Sequence, residues 1–316
     1  MTKAVTEITL GVDVSKDELV ICDWDTEDII TLENKDSAIK DWFEALYGPL
    51  RIAIEPTSSY HLAFVEQAHA LGFEVYLINP RQLAHYRQAV DVRNKTDPLD
   101  AWLLARYLAH ESDSLRPFKP QCAKAQQLWS LLKRRATAVR ARTQLKQSFA
   151  ETKLPIKALF CEIQRVLDRI DQRMLELIRK LGWWADYQRC LSMPGIGKLN
   201  AAALVTVFHG GAFAGADAFV SFIGLDVCVR ESGKFKGKCK LSKRGEAEIR
   251  RLLYCATQGA QSYQPFAIFY QKQLDKGHPK IGAKCNLARK LARIAFALIT
   301  NQQSFIKQEN TYSLSP

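Results

Sequence analysis

Four carboxylates in the first third of this 316-residue chain stand where they could act together on a phosphodiester. Asp13 closes a β-rich run in Gly11-Val12-Asp13-Val14-Ser15-Lys16, and Glu55 follows the apolar stretch Arg51–Ile54 just before Pro56. Asp97 and Asp100 lie three apart in Thr96-Asp97-Pro98-Leu99-Asp100-Ala101, so a helix there puts both on one face. Clustered carboxylates repel one another unless cations neutralise them. Two divalent ions held by acidic oxygens roughly 3.5–4 Å apart are a standard apparatus for in-line phosphoryl transfer. Each acid also has an ordinary reading: Asp13 as a turn former, Glu55 as an exposed strand end, Asp97 or Asp100 as a charge favoured at a helix N-terminus. The functional case rests on all four meeting, which the fold must arrange.

The elements that would do so are legible. Ile8–Val14 alternates as a strand, and Leu19–Trp24 and Ile29–Leu32 follow after short polar breaks. A helix is expected from Ser37, as N-cap, through Leu46, then the strand Arg51–Ile54 and a helix starting near Ser58 or Ser59. Phe73–Ile78 is a further strand, stopped by Asn79-Pro80. The stretch 81–94 is ambiguous, and a helix follows Thr96 with Pro98 in its first turn. The order βββαβαβα is that of an RNase H-like α/β domain with a mixed sheet covered by helices.

Composition sets the wider frame. With 47% apolar and 25% charged residues the chain is ordinary for a soluble protein, and it has no apolar run long enough to cross a membrane. Nothing at the N-terminus marks it for secretion. Its eight cysteines are scattered with no Cys-x-x-Cys pair, which argues for reduced thiols and against a zinc site; a cytoplasmic protein is expected. Residues 1–115 hold 10 Lys/Arg against 20 Asp/Glu, a net −10, while residues 116–316 hold 35 against 13, a net +22. Such segregation suggests that the basic part holds a polyanion and the acidic part binds metal cations.

The motifs also carry a resemblance. Gly-x-Asp-x-Ser-Lys, Glu55-Pro56-Thr57 and Lys95-Thr96-Asp97-x-x-Asp100-Ala101 are similar to the signature of the DEDD transposases, the Piv-type recombinases and bridge-RNA-guided insertion-sequence enzymes. The resemblance implies a RuvC-like catalytic domain over residues 1–115, in which Asp13, Glu55, Asp97 and Asp100 bind Mg²⁺ or Mn²⁺. It implies a helical coiled-coil segment over 116–185, and a mostly α transposase domain over 186–316. It further implies double-stranded DNA as donor and target, a structured guide RNA encoded beside the gene, a dimer or tetramer, and a bacterial, nucleoid-associated setting.

In the middle segment, apolar residues recur at helical spacing from Leu128 to Val139 and from Ile163 to Ile178, with Pro155 separating two arms of a hairpin. Lys133, Arg134, Arg135, Arg140, Arg142 and Lys146 line the first arm; they are either a solvated face or contacts to a nucleic-acid backbone. Further on, Pro194-Gly195-Ile196-Gly197-Lys198 leads into a small-residue helix, Asn200–Val207. It looks like a helix-hairpin-helix whose glycines let the backbone approach a phosphate, although such turns also serve as plain connectors.

Basic residues then alternate from Arg230 through Lys234, Lys236 and Lys238 to Lys240, as in a ribbon. Ser242 follows, flanked by Lys240, Lys243 and Arg244, before the helix Glu246–Thr257. Spacing alone makes it that helix's N-cap or turn serine. The resemblance makes it the nucleophile that forms a phosphoserine link, with Ser221 and Ser232 as weaker candidates. Lys272–Ile299 reads as one packed basic helix, and the polar tail from Gln308 is expected to be disordered. Two other functions fit parts of this pattern: a RuvC-like structure-specific endonuclease using metal-activated water, and a nucleic-acid-binding protein without catalysis.

Overall fold

The structure, a computed structural model, describes residues 7–306 except 93, 95, 121, 153, 229, 230, 233, 234 and 238, and leaves aside the side chains at 114, 231, 232, 235 and 236. Lys95, Arg230, Lys234, Lys238, the side chains of Ser232 and Lys236, and the tail from Gln308 therefore lie outside the described residues. The chain divides into two compact units, Met1–Pro120 and Gln121–Pro316.

The first unit is a five-stranded mixed sheet between helices. Its elements run β1 (Ile8–Val14), β2 (Glu18–Asp23), β3 (Ile29–Glu33), α1 (Asp36–Glu44), β4 (Leu50–Ile54), α2 (Leu62–Ala70), β5 (Glu74–Leu77), α3 (Pro80–Ala89) and α4 (Asp97–Glu111). The strand order is β3-β2-β1-β4-β5; β1 pairs antiparallel with β2 and parallel with β4, which pairs parallel with β5. Alternation along β1 divides its residues between two layers. Leu10, Val12 and Val14 pack with Ile39 and Phe43 of α1 and with Phe64, Val65 and Ala68 of α2. The opposite face receives α4, and there β1 is reduced to glycine: a Cβ on Gly11 would lie 2.0 Å from the Ala101 carbonyl oxygen and 2.3 Å from the Ala105 nitrogen.

Several expectations need correction here. The first helix begins at Asp36 with Lys35 at its N-cap, not at Ser37. The second begins at Leu62, because Ser58 takes a positive φ of 50° and a turn intervenes. The ambiguous stretch is largely helical: Asn79-Pro80 starts α3, with the Asn79 side chain accepting from the Arg81 N–H at 2.9 Å and proline in the first turn.

The second unit is mostly helical. α5 (Ala123–Ser148) and α6 (Lys157–Lys180) form the hairpin, followed by α7 (Trp184–Leu191), α8 (Lys198–His209) and α9 (Ala216–Ile223). Four two-residue strands come next: β6 (Val227–Cys228), β7 (Glu231–Ser232), β8 (Phe235–Lys236) and β9 (Lys240–Leu241). They pair antiparallel as β6 with β9 and β7 with β8. α10 (Ala247–Ala260), α11 (Phe266–Asp275) and α12 (Lys280–Thr300) complete it. Leu128, Leu132, Met174, Leu177 and Ile178 at the base of the hairpin join one core with α7 to α12. The expected single helix over Lys272–Ile299 is two: Gly277 turns left-handed at φ 82°, and Pro279 caps α12. Among the described residues no helix is long and apolar enough to cross a membrane, and all eight cysteines are free thiols.

Candidate acidic centre and serine ribbon

The bare floor at Gly11 decides where the acids go. Asp13 is two residues along β1, on the same face as Gly11, while α4 runs over that face from its N-terminus at Asp97. Glu55 follows β4, two residues beyond Ala53, which packs under the same helix layer with Leu103 and Leu104. Asp97 and Asp100 occupy the first turn of α4, Asp97 exposed and Asp100 buried at 6% exposure.

Electrostatics register this convergence. The Asp13 carboxyl is raised from 3.8 to about 6, first by burial and then by repulsion from Asp100, Asp97 and Glu55, with the Val14 backbone N–H opposing. The cost at Asp100 is partly offset by Arg87 of α3, whose guanidinium bonds its carboxylate and also donates to the Asn94 carbonyl at 3.0 Å. Arg87 escaped sequence reasoning, since nothing in a lone arginine thirteen residues upstream signals the pair. Among the described residues no three acids, histidines or cysteines close up as a ready-made metal cage. The donor set nevertheless fits a hard divalent ion: it is all oxygen, and its members repel one another as they stand.

In the second unit the basic residues sort by what they hold. Arg135 is half-buried and bonds Asp171 across the hairpin, its Nη2 at 2.9 Å, and Arg142 reaches Gln164 of α6. These two fasten α5 to α6. Lys133, Arg134 and Arg140 are exposed, as are Lys198, Lys240, Lys243 and Arg244. Lys133 lies 3.8 Å from Glu246, and Arg140 donates to Thr137 on its own helix.

Between α7 and α8 the two glycines differ. Gly195 has φ 82°, and a Cβ there would lie 2.5 Å from the Ala260 nitrogen, so packing against α10 demands glycine. Gly197 is the N-cap of α8, and a Cβ there would meet open space. Ser242 is not the N-cap of the following helix; Glu246 is. Instead its hydroxyl donates to the Asp226 carboxylate and accepts from the Arg244 N–H at 3.4 Å. Asp226 was also missed in the sequence.

Residues 10–152 match a transposase family model, DEDD_Tnp_IS110, and residues 187–271 match that of the transposase IS116/IS110/IS902 family. The chain belongs to the IS110 family of transposases. Two pilin gene-inverting proteins, from Moraxella lacunata and Moraxella bovis, are each 25% identical to this transposase, over 95% of its chain and 98% of theirs. The transposase for insertion sequence element IS1328 of Yersinia enterocolitica is 26% identical, over 94% of this chain and 98% of its own. Family membership makes the chain a DNA-recombining enzyme.

Proposed function

We propose that this transposase cuts and rejoins DNA strands of an insertion sequence, with a RuvC-like acidic centre in its first unit and Ser242 as nucleophile in its second. The observation that carries the reading is the meeting of four acids, where burial first, and then repulsion from Asp100, Asp97 and Glu55, raises the Asp13 carboxyl, in a chain of a transposase family. A bound Mg²⁺ or Mn²⁺ would supply the positive charge that lets these carboxylates ionise beside a phosphate. Asp13, Glu55, Asp97 and Asp100 would hold it, and Arg87 would share Asp100 with it. Ser242 attacks phosphorus, forming an Oγ–P bond as one backbone P–O bond breaks, and a strand hydroxyl later reverses the exchange. The phosphoserine conserves the ester bond for rejoining.

The DNA backbone is gripped by the exposed cations Lys133, Arg134, Arg140, Lys198, Lys240, Lys243 and Arg244 and by the open Gly197 turn. Recombination joins two duplexes, so a dimer or tetramer is the working form. A structured guide RNA, read by shape and backbone, would select donor and target by base pairing.

The test is a denaturing gel of end-labelled duplex carrying the sequence that flanks the gene, with protein, flanking-region RNA and Mg²⁺. The reading expects a slow, protease-sensitive labelled species with the unaltered protein, lost in Ser242→Ala, in Asp13→Ala and with chelator. Cleavage without that species, lost in Asp13→Ala and kept in Ser242→Ala, would show a RuvC-like endonuclease using water instead. A reaction indifferent to omission of the RNA would remove the guide from the proposal.

A further inference from the structure

The ribbon that carries Ser242 sets a carboxylate directly across from it. β6 and β9 pair antiparallel with Val227 opposite Leu241 and Cys228 opposite Lys240. One step further along the same register, Asp226 faces Ser242, and the Ser242 N–H donates to the Asp226 carbonyl at 2.9 Å. Facing residues of an antiparallel pair present their side chains on one side. There the Ser242 hydroxyl donates its proton to Asp226 Oδ1. The Arg244 N–H reaches the same hydroxyl oxygen at 3.4 Å, on the acceptor side.

The surrounding backbone fixes this pair tightly. The Lys243 N–H donates to the Gly224 carbonyl at 3.2 Å, with Lys243 at φ 55° and Gly224 at φ 77°. A Cβ on Gly224 would lie 2.5 Å from the Gly245 nitrogen, and one on Gly245 would lie 2.1 Å from the Phe222 carbonyl oxygen. Arg250 Nη1 bridges the carbonyls of Ile223, at 3.1 Å, and Gly245. Asp226 and Ser242 are both half-buried, so the pair remains reachable. Asp226 is also an acid set among the exposed cations Lys240, Lys243 and Arg244, which would draw a phosphate to the hydroxyl.

We propose that Asp226 is the proton acceptor for Ser242, an inference that rests on Ser242 being the nucleophile. As the Oγ–P bond forms, the hydroxyl proton passes to Asp226 Oδ1. The P–O bond to one flanking nucleotide breaks with its electron pair, and that oxygen takes a proton from water to become a strand hydroxyl. In rejoining, an incoming strand hydroxyl attacks phosphorus and loses its proton to water. The Oγ–P bond then breaks, and the serine oxygen recovers its proton from Asp226.

The test measures the rate of covalent adduct formation on labelled DNA alongside DNA affinity and melting temperature, in full-length protein. Asn at 226 still accepts a hydrogen bond but is no base, so a purely structural Asp226 predicts an unaltered rate in Asp226→Asn. The proposal predicts a fall of about 100-fold or more, with affinity and melting temperature unchanged and part of the rate restored in Asp226→Glu. An Asp226→Asn protein that forms adduct at the original rate overturns it. So does one whose slow reaction is matched by a lowered melting temperature and weakened DNA binding. Adduct that persists in Ser242→Ala, or is missing from the unaltered protein, fails the nucleophile reading itself, and the two failures are thereby told apart.

Discussion

A carboxyl raised to about 6 inside a folded protein is a standing cost at neutral pH, and Asp13 is that carboxyl. Its folded value lies above its ordinary 3.8, so between about pH 4 and 6 the native chain keeps a proton that the unfolded chain releases. Stability from this group is therefore present below pH 4 and is lost as pH rises towards 6. Asp13→Asn should accordingly raise the melting temperature of metal-free protein at pH 7 and leave it little changed at pH 4, while the proposed function expects it to lose strand cleavage. Added Mg²⁺ should raise the melting temperature of the unaltered protein more than that of the variant; equal shifts would argue against metal at these acids. Arg87 acts in the opposite sense. Removing it as Arg87→Met leaves the buried Asp100 without its cation among three other acids, and should lower stability by about 3 kcal/mol by denaturant unfolding. The four acids were legible because each sits at a strand end or in the first turn of a helix. Arg87 and Asp226 were not: their partners are 13 and 16 residues away and are met only through the fold.

Among the elements, close approach of backbones is decisive at a few glycines. Gly11→Val would drive a side chain into the main chain of α4, and should destabilise by about 1–3 kcal/mol while displacing Asp97 and Asp100 from Asp13. The glycines between α7 and α8 give a paired test. Gly195→Ala should lower the melting temperature, whereas Gly197→Ala should leave it nearly unchanged and weaken DNA binding if that turn meets a phosphate. Sequence periodicity found all five strands of the sheet, because alternation with β-branched residues is a strong local signal. It failed where proline and glycine have two meanings. Asn79-Pro80 both ends a strand and starts a helix, and Gly277 with Pro279 divides what periodicity alone joins. Spacing offered Ser242 as an N-cap or a turn serine because it sees only the chain ahead; the Arg244 N–H does reach it from there, but its carboxylate partner lies behind it, across the ribbon.

For the molecule as a whole, segregated charge predicts how it binds. DNA affinity should fall steeply and linearly in log–log form with salt, the slope reflecting the number of phosphates neutralised. Replacing Lys133, Arg134 and Arg140 with Gln should each reduce that slope by about 0.9 if they contact phosphates. Arg135→Gln should leave the slope alone and loosen the hairpin, since its guanidinium is committed to Asp171.

The register of β6 with β9 carries a design consequence. Val227 opposite Leu241 and Cys228 opposite Lys240 set the register that brings Asp226 and Ser242 face to face. A change of length between Cys228 and Lys240 should therefore leave the two engaged, provided the pairing does not slip by one residue and turn both side chains away. A graft that replaces that stretch with a tight Asn-Gly turn should keep the serine and its carboxylate engaged.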